Sequence, residues 1–167
     1  LSVGAVLKKQ GYLPQFLYGG DSYFDNMGDY FSHNGYQVID RSDFKSNEIS
    51  FANIWGVCDG DMFNKSLKVF DADARTGKPF FAQIMTTSNH RPYTYPAGCI
   101  KVAGDPNTRE ATVKYTDYAI GKFLSDASRK SWFANTVFII IADHCASSAG
   151  NTSIPVDKYH IPCIVYS

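Results

Sequence analysis

Thr136-Val137-Phe138-Ile139-Ile140-Ile141-Ala142 is an unbroken run of β-branched and aromatic residues that ends on Asp143-His144-Cys145. A run of this length and type reads as a strand buried on both faces, as in a parallel sheet. Asp143 and His144 then stand where that strand gives way to a loop. Phe80 to Thr86 reads as a second strand, Leu13 to Tyr18 as a third, and Tyr36 to Ile39 and Pro162 to Tyr166 as shorter ones.

Helical patterns alternate with these strands. Val3, Val6 and Leu7 mark a short first helix that stops at Gly11. Tyr23, Phe24, Met27, Tyr30 and Phe31 recur at helical spacing after a cap at Asp21 or Ser22, and Asn34-Gly35 supplies the stop. Asp59-Gly60-Asp61 opens a helix with Met62, Phe63, Leu67 and Phe70 on one face, ended by Gly77-Lys78-Pro79. Val113, Ile120, Leu124 and Ala127 space a last helix over Thr108 to Lys130. Between them, Asp40 to Ala52 is a polar connection and Ser88 to Asn107 is a long loop rich in Pro, Gly and Tyr. Strand and helix in alternation imply an α/β fold, a mostly parallel sheet flanked by helices on both faces. Ligands of such sheets sit beyond the carboxyl ends of the strands.

Composition narrows the function classes. The chain has 167 residues, is 44% hydrophobic and 19% charged, and carries a formal net charge of +0. Without a basic run, nothing points to nucleic acid or an anionic surface. No apolar run approaches the roughly 18 residues that a membrane-spanning helix needs. Aromatic content of 15% suits a layered core or a pocket for a ring or polyol. Cys58, Cys99, Cys145 and Cys163 form no C-x-x-C pair, leaving one or two bridges or buried free thiols open. The chain begins without Met and closes on a strand barely finished, so both ends are expected to be boundaries within a longer protein.

The chemistry-bearing residues fall at the strand ends. Asp143-His144 offers carboxylate and imidazole to a divalent ion of the zinc or manganese type; a capping Asp beside a surface His is the plain alternative. Thr87-Ser88-Asn89-His90-Arg91-Pro92-Tyr93 offers hydroxyl, amide, imidazole and guanidinium groups in one loop. His90 can donate to a phosphate or sulfate oxygen, and as imidazolium can protonate a leaving group. Tyr18-Gly19-Gly20 leaves backbone amides open to an anion. Asp25 and Asn26 follow as substrate contacts or solvent-facing residues. Trp55 is a candidate border for a polyol site, His160 a weaker candidate at the last strand, and His33 reads as structural.

Taken in order, Tyr18-Gly19-Gly20-x-Ser22-x-Phe24-Asp25-Asn26-Met27, Trp55-Gly56-Val57-x-Asp59, Thr87-Ser88-Asn89-His90-x-Pro92-Tyr93, Ala142-Asp143-His144 and His160-Ile161-Pro162 resemble the lipoteichoic-acid-synthase-like phosphoglycerol transferases. That group belongs to the sulfatase branch of the alkaline phosphatase superfamily, and the resemblance runs across nearly the whole chain. It implies that residues 1–167 are part of a single sulfatase-like catalytic domain truncated at both ends. It implies one divalent metal ion, manganese first with zinc or magnesium as alternatives, held in part by Asp143 and His144.

The resemblance also implies that His90 binds a phosphoglycerol-type lipid headgroup, with Asp25, Asn26 and Trp55 as further substrate contacts and a glycan or polyol as acceptor. The Gram-positive synthases carry Trp-Asn-Arg where this chain has Asp25-Asn26-Met27. The change removes a bidentate phosphate clamp and is more like Gram-negative relatives, including glucan phosphoglycerol transferases. The family's Glu and nucleophilic Thr fall upstream of the matched residues. No catalytic nucleophile is therefore assigned in this chain, and alone it is expected to be inactive. Upstream transmembrane helices would hold the enzyme in the inner membrane, its catalytic domain facing the periplasm or exterior. A sulfatase, a phosphoethanolamine transferase and a non-catalytic sulfatase-fold binding domain are the alternatives.

Overall fold

The computed structural model describes residues 2–145 and 159–167. The chain forms two compact units, Leu1–Lys130 and Ser131–Ser167, each described here by itself.

In the first unit, β1 (Leu13–Tyr18) lies between β2 (Gln37–Ile39) and β5 (Phe80–Met85), and both pairings are parallel. Phe16 pairs with Val38 on one side and Gln83 on the other. As the central strand β1 is the most deeply covered, with Phe16 and Leu17 both 0% exposed.

Alternation along β1 sends successive side chains to opposite faces. Phe16 and Tyr18 join Phe31 and Tyr36 in one cluster, with Met27, Val38, Phe81 and Met85 packed around it. The Phe16 and Phe31 rings stack at 3.8 Å. Phe31 belongs to α2 (Met27–His33), which closes on Gly35 at φ 85°. The helix α1 (Val3–Lys9) joins the same face through Gly4, whose N–H donates to the Tyr36 hydroxyl at 2.8 Å. A Cβ at Gly4 would lie 2.2 Å from the Tyr36 ring, so a larger residue there would have to displace that ring. On the other face, Gln15 donates to Asp73 of α3 (Asp59–Ala74), and Phe70 of α3 stacks on Phe80 at 5.0 Å. Helices thus cover both faces. Each buried Phe stabilises this arrangement by about 1.5–3 kcal/mol.

The helix α4 (Arg109–Ala127) packs on α3, where Phe63 and Phe123 stack at 4.9 Å. Its buried face is Ala111, Tyr115, Ala119, Phe123 and Ala127, whereas Val113 is exposed. The expected apolar stripe is thus rotated. Of the expected stripe Ala127 is buried, Ile120 and Leu124 are half-buried and only Val113 is exposed, because the i, i+4 row of small and aromatic residues takes the centre of the contact with α3.

Two further expectations change. The helix after β1 begins at Met27 rather than near Ser22, because Asp25 (φ 50°) and Asn26 (φ 57°) leave the right-handed region. In the second unit, β6 (Phe138–Ile141) pairs antiparallel with β7 (Cys163–Tyr166). Among the described residues β6 has no other strand neighbour, and Ile139 is 64% exposed. A two-stranded ribbon covers at most one face, so the two-sided burial expected of this run is not realised here. Phe133, Phe138 and Tyr166 gather on that ribbon with ring centroids 5.6–6.3 Å apart.

The polar connection from Asp40 is clamped to α3 by Glu48. Its carboxyl receives Lys68 Nζ at 2.6 Å, Lys65 Nζ at 2.9 Å and the Lys45 amide at 3.1 Å. The Lys68 ammonium first, then the Lys45 amide and Lys65, pull the Glu48 pKa from 4.5 down to about 2. A folded-state value below the unfolded one contributes stability that is present above pH 4.5 and lost as pH falls towards 2. Urea midpoints measured across that window should therefore fall less steeply in Glu48→Gln than in the wild type. Parallel declines would remove Glu48 from the acid response.

Candidate functional site

The carboxyl ends of β1 and β5 lie side by side, since Tyr18 pairs with Met85. The chain leaves β1 through Gly19-Gly20-Asp21-Ser22 and leaves β5 through Thr86 into the loop that carries His90. Across these exits lies a short antiparallel hairpin, β3 (Ala52–Asn53) and β4 (Gly56–Val57), with Ile54 and Trp55 at its tip.

Three glycines let the hairpin approach. Gly56 has φ 142°, and a Cβ there would sit 2.2 Å from the Gly19 carbonyl oxygen. A Cβ on Gly19 would lie 2.8 Å from the Val57 oxygen, and one on Gly20 would lie 2.4 Å from the Trp55 oxygen. Gly19 and Gly20 thus serve close backbone packing, and this accounts for the pair without the anion suggested by the sequence. Val57 N–H donates to Gly19 O at 2.9 Å and seals the contact.

Asp59, the first residue of α3, ties the hairpin to the β5 exit. It is fully buried. Its Oδ1 accepts from Thr87 N–H at 3.0 Å and Ser88 N–H at 2.9 Å, and its Oδ2 accepts from Thr116 Oγ1 of α4 at 2.8 Å. In return the Ser88 hydroxyl oxygen accepts from the Asp59 backbone N–H at 3.1 Å. Thr87 Oγ1 donates to Val57 O at 2.9 Å. Carboxylates are favoured at helix N-termini, and here the group also serves as acceptor for a neighbouring loop. Asp61, on the same turn, accepts from Ser50 N–H at 2.7 Å and Phe51 N–H at 3.2 Å and so holds the chain entering β3.

This framework brings the candidate residues of the first unit together. The Trp55 indole meets the His90 ring at 3.9 Å between centroids, tilted by 45°. Trp55 Nε1–H donates to the Arg91 carbonyl at 2.6 Å, and His90 Nδ1 lies 3.0 Å from that same oxygen. The Arg91–Pro92 peptide is cis. Phe24 also meets the Trp55 indole, edge-on at 5.5 Å. Asp25 and Asn26 follow Phe24 directly and are exposed. Their left-handed backbone is uncommon outside glycine, costs about 1–3 kcal/mol each, and is a frequent mark of a working surface. The turn that presents them is braced by Asp40 at the end of β2. Its Oδ2 accepts from the Ser22 hydroxyl at 2.5 Å and its Oδ1 from Ser42 Oγ at 2.7 Å. Burial raises the Asp40 pKa, but the Ser22 and Ser42 donors outweigh it and the net shift is downward.

Asp143 and His144 lie in the second unit, just beyond β6. Both are exposed, with His144 Nε2 3.5 Å from Asp143 Oδ2 and His144 Nδ1 2.8 Å from Cys145 O. One carboxylate and one imidazole nitrogen on adjacent residues form a donor set that suits a divalent ion. They supply two donors, and no cluster of three or more such residues occurs among the described residues. The pair thus fits a metal as part of a coordination shell. His160 is exposed just ahead of β7, and His33 caps α2 locally, with Nδ1 2.8 Å from Asp29 O.

The sequence gives no signal at Asp40, and marks Asp59 and Gly56 only as motif positions without a role. Asp59 reads as a helix opening, and its real partners lie 28 and 57 positions away. Replacing Asp59 by Ala strands two buried amides and should lower the unfolding free energy by roughly 3 kcal/mol. Urea denaturation would measure that loss, with a smaller one for Asp59→Asn. Hydrogen exchange at the Thr87 and Ser88 amides should accelerate in step; unchanged protection would refute the assigned role.

The sequence matches the Sulfatase family over residues 1–167. Phosphoglycerol transferase I of Salmonella typhi is 24% identical over 154 residues, covering 87% of this chain and 20% of that protein. Its namesake in Xanthomonas campestris pv. campestris (strain B100) is 27% identical over 157 residues, covering 86% and 22%. The chain therefore spans only 20–22% of the length of these relatives. Among solved structures, an alkaline phosphatase superfamily protein from Vibrio parahaemolyticus superposes with a TM-score of 0.93 at 40% identity, covering 99% of this chain and 41% of that one. The lipoteichoic acid synthase LtaP from Listeria monocytogenes superposes with a TM-score of 0.82 at 19% identity over 99% of this chain and 45% of its own, a likeness of fold alone. With the match spanning every residue and the parallel sheet in place, the chain belongs to the sulfatase family.

Proposed function

We propose that this chain is part of a metal-dependent phosphoglycerol transferase that acts on a membrane-lipid-derived donor. The observation that carries the reading is the cluster at the sheet's carboxyl edge, where Phe24, Trp55 and His90 make successive ring contacts beside Asp25 and Asn26. An exposed imidazole backed by an indole, with a carboxylate and an amide alongside, suits a small polyol phosphate: polar groups for its hydroxyls and a proton donor for its phosphate oxygens. The relatives named phosphoglycerol transferase I support the same substrate class.

In this reading His90 holds the headgroup and supplies or withdraws a proton at a substrate oxygen. Asn26 and Asp25 orient the glycerol hydroxyls, and Trp55 closes the side of the site behind His90. Asp143 and His144 hold a divalent ion, manganese being the first choice and zinc or magnesium the alternatives. When bound, such an ion neutralises charge on the phosphoryl oxygens and lowers the pKa of an attacking hydroxyl. A Thr nucleophile outside these residues attacks phosphorus, and a glycan or polyol hydroxyl then takes the group. No helix among the described residues is long and apolar enough to cross a membrane. The reading assigns anchoring in the inner membrane to helices upstream of this chain, with the catalytic domain facing the periplasm or exterior.

Calorimetric titration of the chain with manganese chloride should give weak, saturable heat that Asp143→Ala abolishes. Nanomolar affinity that survives this substitution would overturn the metal assignment. In the full-length protein, His90→Ala should cut transfer from a phosphoglycerol lipid to a glucan acceptor by about 100-fold or more. Wild-type turnover in that variant would rule out His90 as a substrate group.

A further inference from the structure

The carbonyl oxygen of Arg91 serves two donors at once. Trp55 Nε1–H reaches it at 2.6 Å, and His90 Nδ1 stands 3.0 Å away. A carbonyl has two lone pairs and no proton to give, so the His90 contact is a hydrogen bond only when Nδ1 carries the hydrogen. In the neutral ring Nε2 is then the unprotonated nitrogen, because the bond made by one nitrogen sets the state of the other.

The ring face is held as well as its edge. The indole lies against the imidazole at 3.9 Å between centroids, tilted by 45°, which limits rotation of the ring. Trp55 is itself fixed. Its backbone N–H donates to Asn53 Oδ1 at 2.8 Å, its ring meets Phe24 edge-on at 5.5 Å, and its carbonyl lies where a Cβ on Gly20 would come within 2.4 Å. Asn53 is anchored in turn, donating to Thr94 Oγ1 at 3.0 Å and accepting Arg41 Nη1 on its carbonyl at 3.3 Å. The hairpin tip is thus a rigid support for a histidine that would otherwise turn freely on an exposed loop.

We propose that Trp55 is a positioning residue for His90: through the Arg91 carbonyl and its own ring face it keeps the hydrogen on Nδ1 and presents Nε2 to the phosphoglycerol headgroup. This rests on the reading of His90 given above, and it refines Trp55 from a substrate contact to a residue that acts through another. Neutral His90 accepts a hydrogen bond from a glycerol hydroxyl through Nε2. Protonated His90 donates from Nε2 to a phosphate or leaving-group oxygen while Nδ1–H stays on Arg91. The same nitrogen takes up and releases the proton, and the ring keeps one orientation throughout.

The test is histidine 15N NMR on the full chain, with His90 assigned by its loss in His90→Gln. Wild-type His90 above its pKa should show protonated Nδ1 and unprotonated Nε2; the reverse pattern overturns the proposal without recourse to any variant. Trp55→Phe keeps an aromatic face but removes the N–H, and Trp55→Ala removes both. The Nδ1–H signature should weaken in the first and average out in the second; an unchanged pattern in both would overturn Trp55's role. In the full-length protein, Trp55→Phe should lower kcat/KM for the lipid donor by about 10-fold, mainly through kcat. The expected tautomer together with an active His90→Ala enzyme would refute the functional reading while leaving the positioning intact. A reversed tautomer together with an inactive His90→Ala enzyme would do the opposite.

Discussion

Asp59 sits at 0% exposure on the first turn of α3 and accepts hydrogen bonds from Thr87, Ser88 and Thr116. That one carboxyl joins the helix to the exit of β5 and to the middle of α4. A buried acceptor of this kind is costly unless fully satisfied, and once satisfied it fixes its partners closely. His90 lies two residues beyond Ser88, so the departure of its loop from the sheet is set by this contact. Without it the functional loop would leave β5 with two buried amides unpaired.

The second constraint is steric. Trp55 reaches His90 only because the hairpin lies on the β1 exit with backbone touching backbone, and Gly19, Gly20 and Gly56 leave no room for a Cβ. The hydrogen bond from Val57 to Gly19 and that from Thr87 to Val57 then stitch β1, the hairpin and β5 into one edge. The Trp-Gly-Val-x-Asp segment is thus a structural joint: the Gly permits contact, the Val bonds it, the Asp anchors the next loop and the Trp supports the histidine. Asp25 and Asn26 follow in left-handed backbone, on the turn that begins at Ser22 with its hydrogen bond to Asp40.

Membership of the sulfatase family gives these contacts a chemical setting. The phosphoglycerol transferases it resembles are several times longer, and the chain spans only 20–22% of their length. Within that part, the first unit holds the ring contacts and polar groups suited to a headgroup, and the second holds the Asp143–His144 pair. Each has a self-contained physical rationale. For the first it is a buried carboxyl and a glycine-lined approach; for the second it is a carboxylate and an imidazole set on adjacent residues beyond a strand.

Much of the fold was legible in the sequence. The span of β1, the Asn34-Gly35 stop and the buried face of α3 through Met62, Phe63, Leu67 and Phe70 all follow from local periodicity and turn chemistry. The placement of His90, Asp143 and His144 just after strands was equally a local matter, readable from strand-to-loop transitions. Tertiary structure alone decided the rest. It chose which stripe of α4 is buried, since Val113 and Ala111 differ by what α3 offers them. It set Asp25 and Asn26 in left-handed turns rather than in a helix. It also brought Trp55 to His90 and Asp59 to Thr87 across separations of about 30 residues. Local patterns record how a segment satisfies its own backbone; which distant donor meets a buried carboxyl, or which backbone slides over a glycine, is settled only when the sheet edge is assembled.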